Sequence, residues 1–274
     1  MPASRRLEAW LQRHQGAQLL ITEGDPRPLD PLQMSSQWSG GMAAWIAQQS
    51  GLDPLSKPSV GTDDLSAWIE AQLPLRGAVN EPALAYWLPQ LLPERLPLML
   101  AASSPVRDWL TWGGPACSRH RCFSFRGASG IDGTLSLAMG LAANLGPLAL
   151  VTGDLALLHD SNGWLHASSA AAAPPLLVLL IDNGGGGIFQ QLPIATPGFE
   201  PLFAMPQQVD PLALAAAHGV PGRQVACLED LQEALAWGLS QQRPVLLRLC
   251  SDRGRDAALR QQLRAAAQNA HTEP

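Results

Sequence analysis

Two stretches decide how this chain folds: Leu148-Ala-Leu-Val-Thr-Gly-Asp154, and further on Leu176-Leu-Val-Leu-Leu-Ile-Asp-Asn-Gly-Gly-Gly-Gly187. Each is an unbroken apolar run closed by glycine and by an oxygen-bearing side chain. A strand with one wet face alternates apolar and polar residues, whereas an unalternating strand is buried on both faces, as in a parallel sheet covered by helices. Residues 245–249 form a third such run. Shorter strands are read at 97–101 and within 119–125. Helical patterns lie between them at 81–92, 134–144, 211–218 and 230–239. Gly219 closes the third of these as a residue just past a helix end. Asp230 and Glu233 have the spacing of a capping box at the start of the fourth. The fold class is therefore α/β, a parallel sheet with helices on both faces.

The first 78 residues are less regular. Helices are read at 6–13 and 41–49, one short strand at 18–22, and loop at 51–64 from its Gly, Pro, Ser and Asp content. One strand is too few for a free-standing sheet. Residues 1–78 are thus expected to be part of a preceding α/β domain plus linker, with the main domain over 79–274.

Composition excludes several classes. The 274 residues are 46% hydrophobic and 15% charged, enough for a sizeable core and unlike a disordered chain. The 25 glycines and 24 prolines imply many turns, without a collagen-like repeat. Net charge is −5 with no basic stripe, so no nucleic-acid partner is expected. The greasiest run, 170–181, is interrupted by Pro174 and Pro175 and is shorter than the ~18 residues of a membrane span. Residues 1–14 have no apolar signal core. Four cysteines do not make a disulfide framework, and a reducing, cytoplasmic setting is expected. Cys117, His120 and Cys122 lie close together, but two thiols and one imidazole read as buried or idle groups before they read as a zinc site.

In open parallel sheets ligands bind beyond the carboxyl ends of the strands. Gly153-Asp154 and Asn183-Gly-Gly-Gly-Gly187 both sit there. An Asp carboxylate, an Asn amide oxygen and a glycine carbonyl are hard oxygen donors. They suit Mg²⁺, which completes its octahedron with water and phosphate oxygens. Taken singly, the Asp also reads as a helix cap and the glycines as a turn. Four consecutive glycines carry an entropic cost that points to close approach of a ligand to the backbone. A third signal, Arg126-Gly-Ala-Ser-Gly-Ile-Asp-Gly133, opens the 134–144 helix and offers N–H groups to an anion. Its spacing is neither the dinucleotide fingerprint nor a P-loop.

Gly153-Asp154 with Asn183-Gly resembles the metal motif of thiamine diphosphate enzymes. With Ser103-Ser-Pro-Val-Arg107, the 126–133 run, His159-Asp160 and Gly185-Gly-Gly-Ile-Phe189, the chain resembles the MenD family, from about residue 3 to 250. The resemblance implies a thiamine diphosphate-binding fold preceded by part of a central domain, that is, only the C-terminal portion of such an enzyme. It implies thiamine diphosphate and Mg²⁺ (or Mn²⁺) as cofactors. Asp154, Asn183 and Gly185 would be the metal ligands, with Ser129, Gly130, Ile131, Gly153, Ile188 and Phe189 along the cofactor. Ser103, Arg107, Arg126, Phe189 and Leu192 would face substrate, as would Arg5 and Arg6 of a Ser-Arg-Arg-Leu run. The family reaction decarboxylates 2-oxoglutarate and adds the succinyl carbanion to isochorismate, in menaquinone and phylloquinone synthesis. Bidentate arginines suit such polycarboxylates.

The family's activating glutamate belongs to an N-terminal domain, and Glu23, Glu70 and Glu81 sit in no matching motif. The chain by itself is therefore expected to be inactive, to need a separate N-terminal half, and to assemble as a homo-oligomer when complete. The alternatives are a portion of another thiamine diphosphate enzyme, such as an acetolactate synthase, or a non-catalytic diphosphate-binding remnant.

Overall fold

The computed structural model describes residues 5–49, 62–125, 130–167, 173–192, 194 and 196–270. The chain divides into two compact units, Met1–Asp63 and Asp64–Pro274. The first contains α1 (Arg5–Arg13), β1 (Leu19–Ile21), β2 (Ser36–Trp38) and α2 (Met42–Gln48). β1 and β2 pair in parallel, so this unit has two strands where the sequence reading found one. Ser36-Gln-Trp38 is too short and polar to announce itself.

Most of α3 (Thr62–Gln72), a helix within and beyond the stretch read as loop, lies in the second unit. Ile69 and Leu73 of this segment are buried in the core of the second unit. The elements that follow are α4 (Glu81–Leu91), β3 (Leu98–Leu100), α5 (Ser104–Trp112), β4 (Cys122–Phe123), α6 (Thr134–Leu145), β5 (Leu148–Gly153), α7 (Asp154–His159), β6 (Leu176–Asp182), α8 (Pro211–Ala217), β7 (Gly222–Val225), α9 (Leu231–Ser240), β8 (Val245–Cys250) and α10 (Arg253–Ala270). The six strands β3–β8 form one parallel sheet in the order β4-β3-β5-β6-β8-β7.

Both faces of this sheet are buried, which is why its strands do not alternate in polarity. Ala149, Val151, Leu177, Leu179, Val245 and Leu247 point to one face, under α4, α5, α9 and α10. Leu148, Leu150, Leu176, Val178, Leu180 and Leu246 point to the other, under α6, α7 and α8. From β3 the chain moves outward to β4 and returns to pair β5 on the other side of β3. The helix after β3 covers one face and the helix after β5 covers the other. A crevice opens between them at the strand tips, the position where such sheets bind ligands.

One local detail corrects the sequence reading. Asp230 makes no side-chain cap bond to α9. A 3₁₀ turn, Leu228–Asp230, leads straight into the helix with Asp230 already helical, so the capping box does not form. His120 is buried with Nε2 2.9 Å from the Pro89 carbonyl and Nδ1 3.1 Å from that of Leu96. Pro89 needs such a partner because the residue four positions on is Pro93, which has no N–H to donate. The Cys117 Sγ faces the Trp109 carbonyl, and burial pushes the thiol up to about 12. Among the described residues no group of three His, Cys, Asp or Glu could hold a metal, and no helix is long and apolar enough to cross a membrane.

Leu150 is fully buried in the second core. Leu150→Ala is expected to lower the unfolding free energy by about 2–5 kcal/mol, measured by urea denaturation. A loss under about 1 kcal/mol would contradict the packing described.

Candidate active site

The crevice holds a cavity of about 680 Å³. Its walls are the tip of β3 with the first turn of α5, Gly130 and Ile131 ahead of α6, the tip of β5, the glycine loop after β6, and Leu202, Phe203 and Met205. β5 and β6 are direct neighbours with Gly153 opposite Ile181, so Asp154 and Asn183 leave adjacent strand tips on one rim.

Asp154 ties the two tips together. Its Oδ1 accepts from the Leu155 N–H at 2.7 Å and its Oδ2 from the Gly185 N–H at 2.7 Å. Burial nevertheless pushes the carboxyl up to about 6, against the lowering effect of those two N–H groups. A charge in want of a counter-charge is the condition that a bound cation relieves. Each carboxylate oxygen retains a further lone pair.

Asn183 is buried, with Nδ2 donating to Glu81 Oε1 at 2.6 Å. Its Oδ1 is buried with no partner among the described residues. An unsatisfied buried amide oxygen costs on the order of 1–3 kcal/mol, so it marks a place for a ligand. Gly185 has φ 119°, and its carbonyl accepts from the Gly187 N–H at 2.7 Å across an inverse γ-turn at Gly186 (φ −70°, ψ 63°). A carboxylate, an orphaned amide oxygen and a carbonyl with a spare lone pair fit a hard divalent cation.

The glycine run also has a structural cause. A Cβ on Gly185 or Gly186 would overlap the backbone carbonyl of Ala204 or Phe203. The Gly186 N–H donates to the Ala204 carbonyl at 2.6 Å. Close approach here is thus made by the chain itself, at the turn Glu200–Ala204. Arg253 braces the pair, donating to the Gly184 carbonyl and to Glu200 Oε1 at 2.6 Å.

On the opposite wall Ser103 adopts φ 77°, ψ −135°, a conformation costly for a residue with a Cβ and held by its surroundings. Arg107 Nη1 donates to the Ser103 carbonyl at 2.7 Å, and its exposed guanidinium keeps other N–H groups for a ligand. The first turn of α6 is already occupied in part. Asp160 Oδ2 takes the Ser136 N–H at 2.6 Å, and Oδ1 takes the Ser136 hydroxyl at 3.0 Å.

Of the residues read from sequence, the structure brings Ser103, Arg107, Gly130, Ile131, Gly153, Asp154, Asn183, Gly185, Ile188 and Phe189 onto one cavity. Leu192 is not on its wall and is 40% exposed. Arg126 and Ser129 lie outside the described residues. Arg5 and Arg6 open α1 in the first unit, and their side chains also lie outside the described residues.

Sequence reasoning missed what stands behind Asn183. Glu81, Asp108, Asp256 and Arg260 are all buried. Arg260 Nη2 pairs with Glu81 Oε2 at 2.7 Å and with Asp108 Oδ2, and its Nε reaches Asp108 Oδ1 at 3.0 Å. Asp256 Oδ2 accepts the Glu81 N–H at 3.2 Å. The one available signal was a lone acid heading the otherwise apolar helix α4. Its partner lies 179 residues away.

Residues 115–249 match the family described as thiamine pyrophosphate enzyme, C-terminal TPP binding domain. Two solved structures share the fold. One is a thiamin diphosphate-dependent enzyme from Mycobacterium smegmatis, with TM-score 0.56 and 16% identity over 87% of this chain and 44% of that one. The other is benzoylformate decarboxylase from Polynucleobacter necessarius, with TM-score 0.57 and 15% identity over 88% and 45%. The sheet and crevice described above are therefore the α/β thiamine diphosphate-binding fold.

Within that class the chain is similar to proteins of the MenD type. It is 90% identical over 273 residues to the 2-succinyl-5-enolpyruvyl-6-hydroxy-3-cyclohexene-1-carboxylate synthase of Synechococcus sp. (strain CC9605), covering 100% of this chain and 49% of that protein. It is 69% identical over 274 residues to the protein of the same name from Parasynechococcus marenigrum (strain WH8102), covering 98% and 50%. The chain thus spans about half the length of the curated relatives it matches.

The buried charge cluster makes stability depend on pH. Burial first, and for Asp256 the charge of Glu81, push the Asp108 carboxyl up to about 6 and that of Asp256 up to about 7, against Arg260. Carboxyls with raised folded values bind protons on folding. Their contribution is present in acid and is lost as pH rises from about 4 to about 7. Asp256→Asn keeps an acceptor for the Glu81 N–H but no longer titrates. Its unfolding free energy, measured in urea across that window, is expected to gain on the parent chain as pH rises. A difference that does not change with pH would contradict the assignment.

Proposed function

We propose that this chain supplies the metal and diphosphate half of the cofactor site of a MenD-type synthase. The Asp154 carboxylate, Asn183 Oδ1 and the Gly185 carbonyl hold Mg²⁺, or Mn²⁺ in its place, and the cofactor diphosphate and water complete the shell. The orphaned Asn183 Oδ1 carries this reading. It is a buried acceptor with no donor among the described residues, on the same wall as a carboxylate that burial leaves short of positive charge.

Gly130, Ile131, Gly153, Ile188 and Phe189 follow the cofactor along the cavity wall, and the resemblance adds Ser129. When bound, thiamine diphosphate supplies the electron sink for decarboxylation, and the protein supplies orientation and charge. Ser103 and Arg107 receive the carboxylates of 2-oxoglutarate and isochorismate; the resemblance gives Arg126 the same role. Arg107 is suited to this because its bond to the Ser103 carbonyl fixes the stem and leaves the rest of the fork for a planar anion. The reaction belongs to menaquinone or phylloquinone synthesis. The four free cysteines suit the reducing cytoplasm.

Both acids on the described cavity wall are committed. Asp154 accepts two backbone N–H groups, and Glu81 holds Arg260 and Asn183. Neither serves a proton relay to the cofactor's aminopyrimidine. Turnover therefore draws on a glutamate that lies outside these residues.

Calorimetric titration with Mg²⁺ and thiamine diphosphate is expected to detect binding to the chain and none to Asp154→Ala. Undiminished binding by the variant would overturn the ligand assignment. Supplied with a glutamate-bearing half, the chain is expected to consume 2-oxoglutarate in preference to pyruvate. The reverse preference would move it to the acetolactate synthase type.

A further inference from the structure

An asparagine amide can sit either way round, because its oxygen and nitrogen are nearly the same size and packing alone does not choose between them. For a metal ligand the choice matters, since only the oxygen can face a cation. At Asn183 the choice is made from behind. Nδ2 donates to Glu81 Oε1 at 2.6 Å, and an ionised carboxylate only accepts. Turning the amide over would set two oxygens against each other at that distance.

Arg260 pairs with Glu81, 2.7 Å from Oε2, and is itself held by Asp108 through Nε at 3.0 Å. All three are buried, and Glu81 and Arg260 are each 1% exposed. The line of donors and acceptors runs from Asp108 through Arg260 and Glu81 to Asn183, and it ends at Oδ1, which has no partner among the described residues.

We propose that Glu81, anchored by Arg260, is a positioning residue that sets the amide of Asn183 so that its oxygen, and not its nitrogen, is presented to the divalent cation. The inference rests on the cation reading of Asp154, Asn183 and Gly185 above. Its chemistry is specific. Arg260 can only donate, so in Glu81→Gln the new side-chain oxygen turns to Arg260 and the new NH₂ turns to position 183. That donor draws the Asn183 oxygen toward itself and points Nδ2 at the cation. Adding Asn183→Asp reverses the polarity again. A carboxylate accepts the new NH₂ with one oxygen and keeps the other for the metal, and the total charge of the pair is unchanged.

The test uses the full 274-residue chain, with Mn²⁺ as the probe and thiamine diphosphate present. Free Mn²⁺ is followed by electron paramagnetic resonance. Glu81→Gln is expected to weaken Mn²⁺ binding by about ten- to a hundred-fold, and the double variant Glu81→Gln, Asn183→Asp to regain affinity within about threefold of the parent chain. Unchanged affinity in Glu81→Gln overturns the inference. So does failure of the double variant to recover while its thermal melt by circular dichroism matches the parent. A residue that only stabilised the fold would not be rescued by exchanging donor and acceptor.

Nuclear magnetic resonance of the unaltered chain decides the matter should Glu81→Gln fail to fold. The Asn183 side-chain amide protons are expected to resist solvent exchange with and without Mg²⁺, and rapid exchange overturns the inference. A parent chain that takes up no Mn²⁺ while those protons remain protected overturns the cation reading instead.

Discussion

The site depends on one short contact, the Asp154 carboxylate accepting the N–H of Gly185 from the neighbouring strand. Hydrogen bonds between β5 and β6 bring their ends level, but they do not dictate the path of the loop that follows. The carboxylate does. It anchors the glycine turn to the tip of β5, and the turn then lies where its carbonyl shares a wall with the acid. The contact is made under burial that raises the carboxyl to about 6, so the same group that organises the loop also lacks positive charge. Organisation and appetite for a cation come from one side chain.

Behind this rim the protein keeps a second layer of charge. Three buried carboxylates around one guanidinium would be a poor way to stabilise a core, since pairs of this kind often do no better than apolar residues of the same volume. Their position explains them better than their energy does. The cluster joins the start of α4, the middle of α5 and α10, and one member touches Asn183. Elements from opposite ends of the second unit thereby meet directly under the site.

The sheet was legible because a strand buried on both faces leaves an unbroken apolar run, and β5, β6 and β8 have that signature. β7 was not, because Gly222-Arg-Gln-Val225 is a largely exposed edge strand with only Val225 buried. α10 was hidden for a related reason. Arg253–Ala270 reads as polar, and its inward residues include Asp256 and Arg260, charges that become core residues only because they meet Glu81 and Asp108. Asp154 and Asn183 showed in the sequence because they directly follow strands. The buried charges behind them did not, since no local pattern announces a pair separated by 179 positions. The glycine run was read as room for a ligand, and part of that room is taken by the backbone of Phe203 and Ala204.

That last feature links two parts of the pocket that differ in chemistry. The turn Glu200–Ala204 carries Phe203, which meets Phe189 edge-on at 5.6 Å and stacks on Phe199 at 5.9 Å, and it leads into Met205. Its carbonyls rest on Gly185 and Gly186 with no space for even a methyl group between them. The greasy mouth and the oxygen-lined floor are consequently mounted on a common support. Bulk added to the floor would be felt as a displaced gate, and pressure on the gate would be felt as a shifted carbonyl beneath.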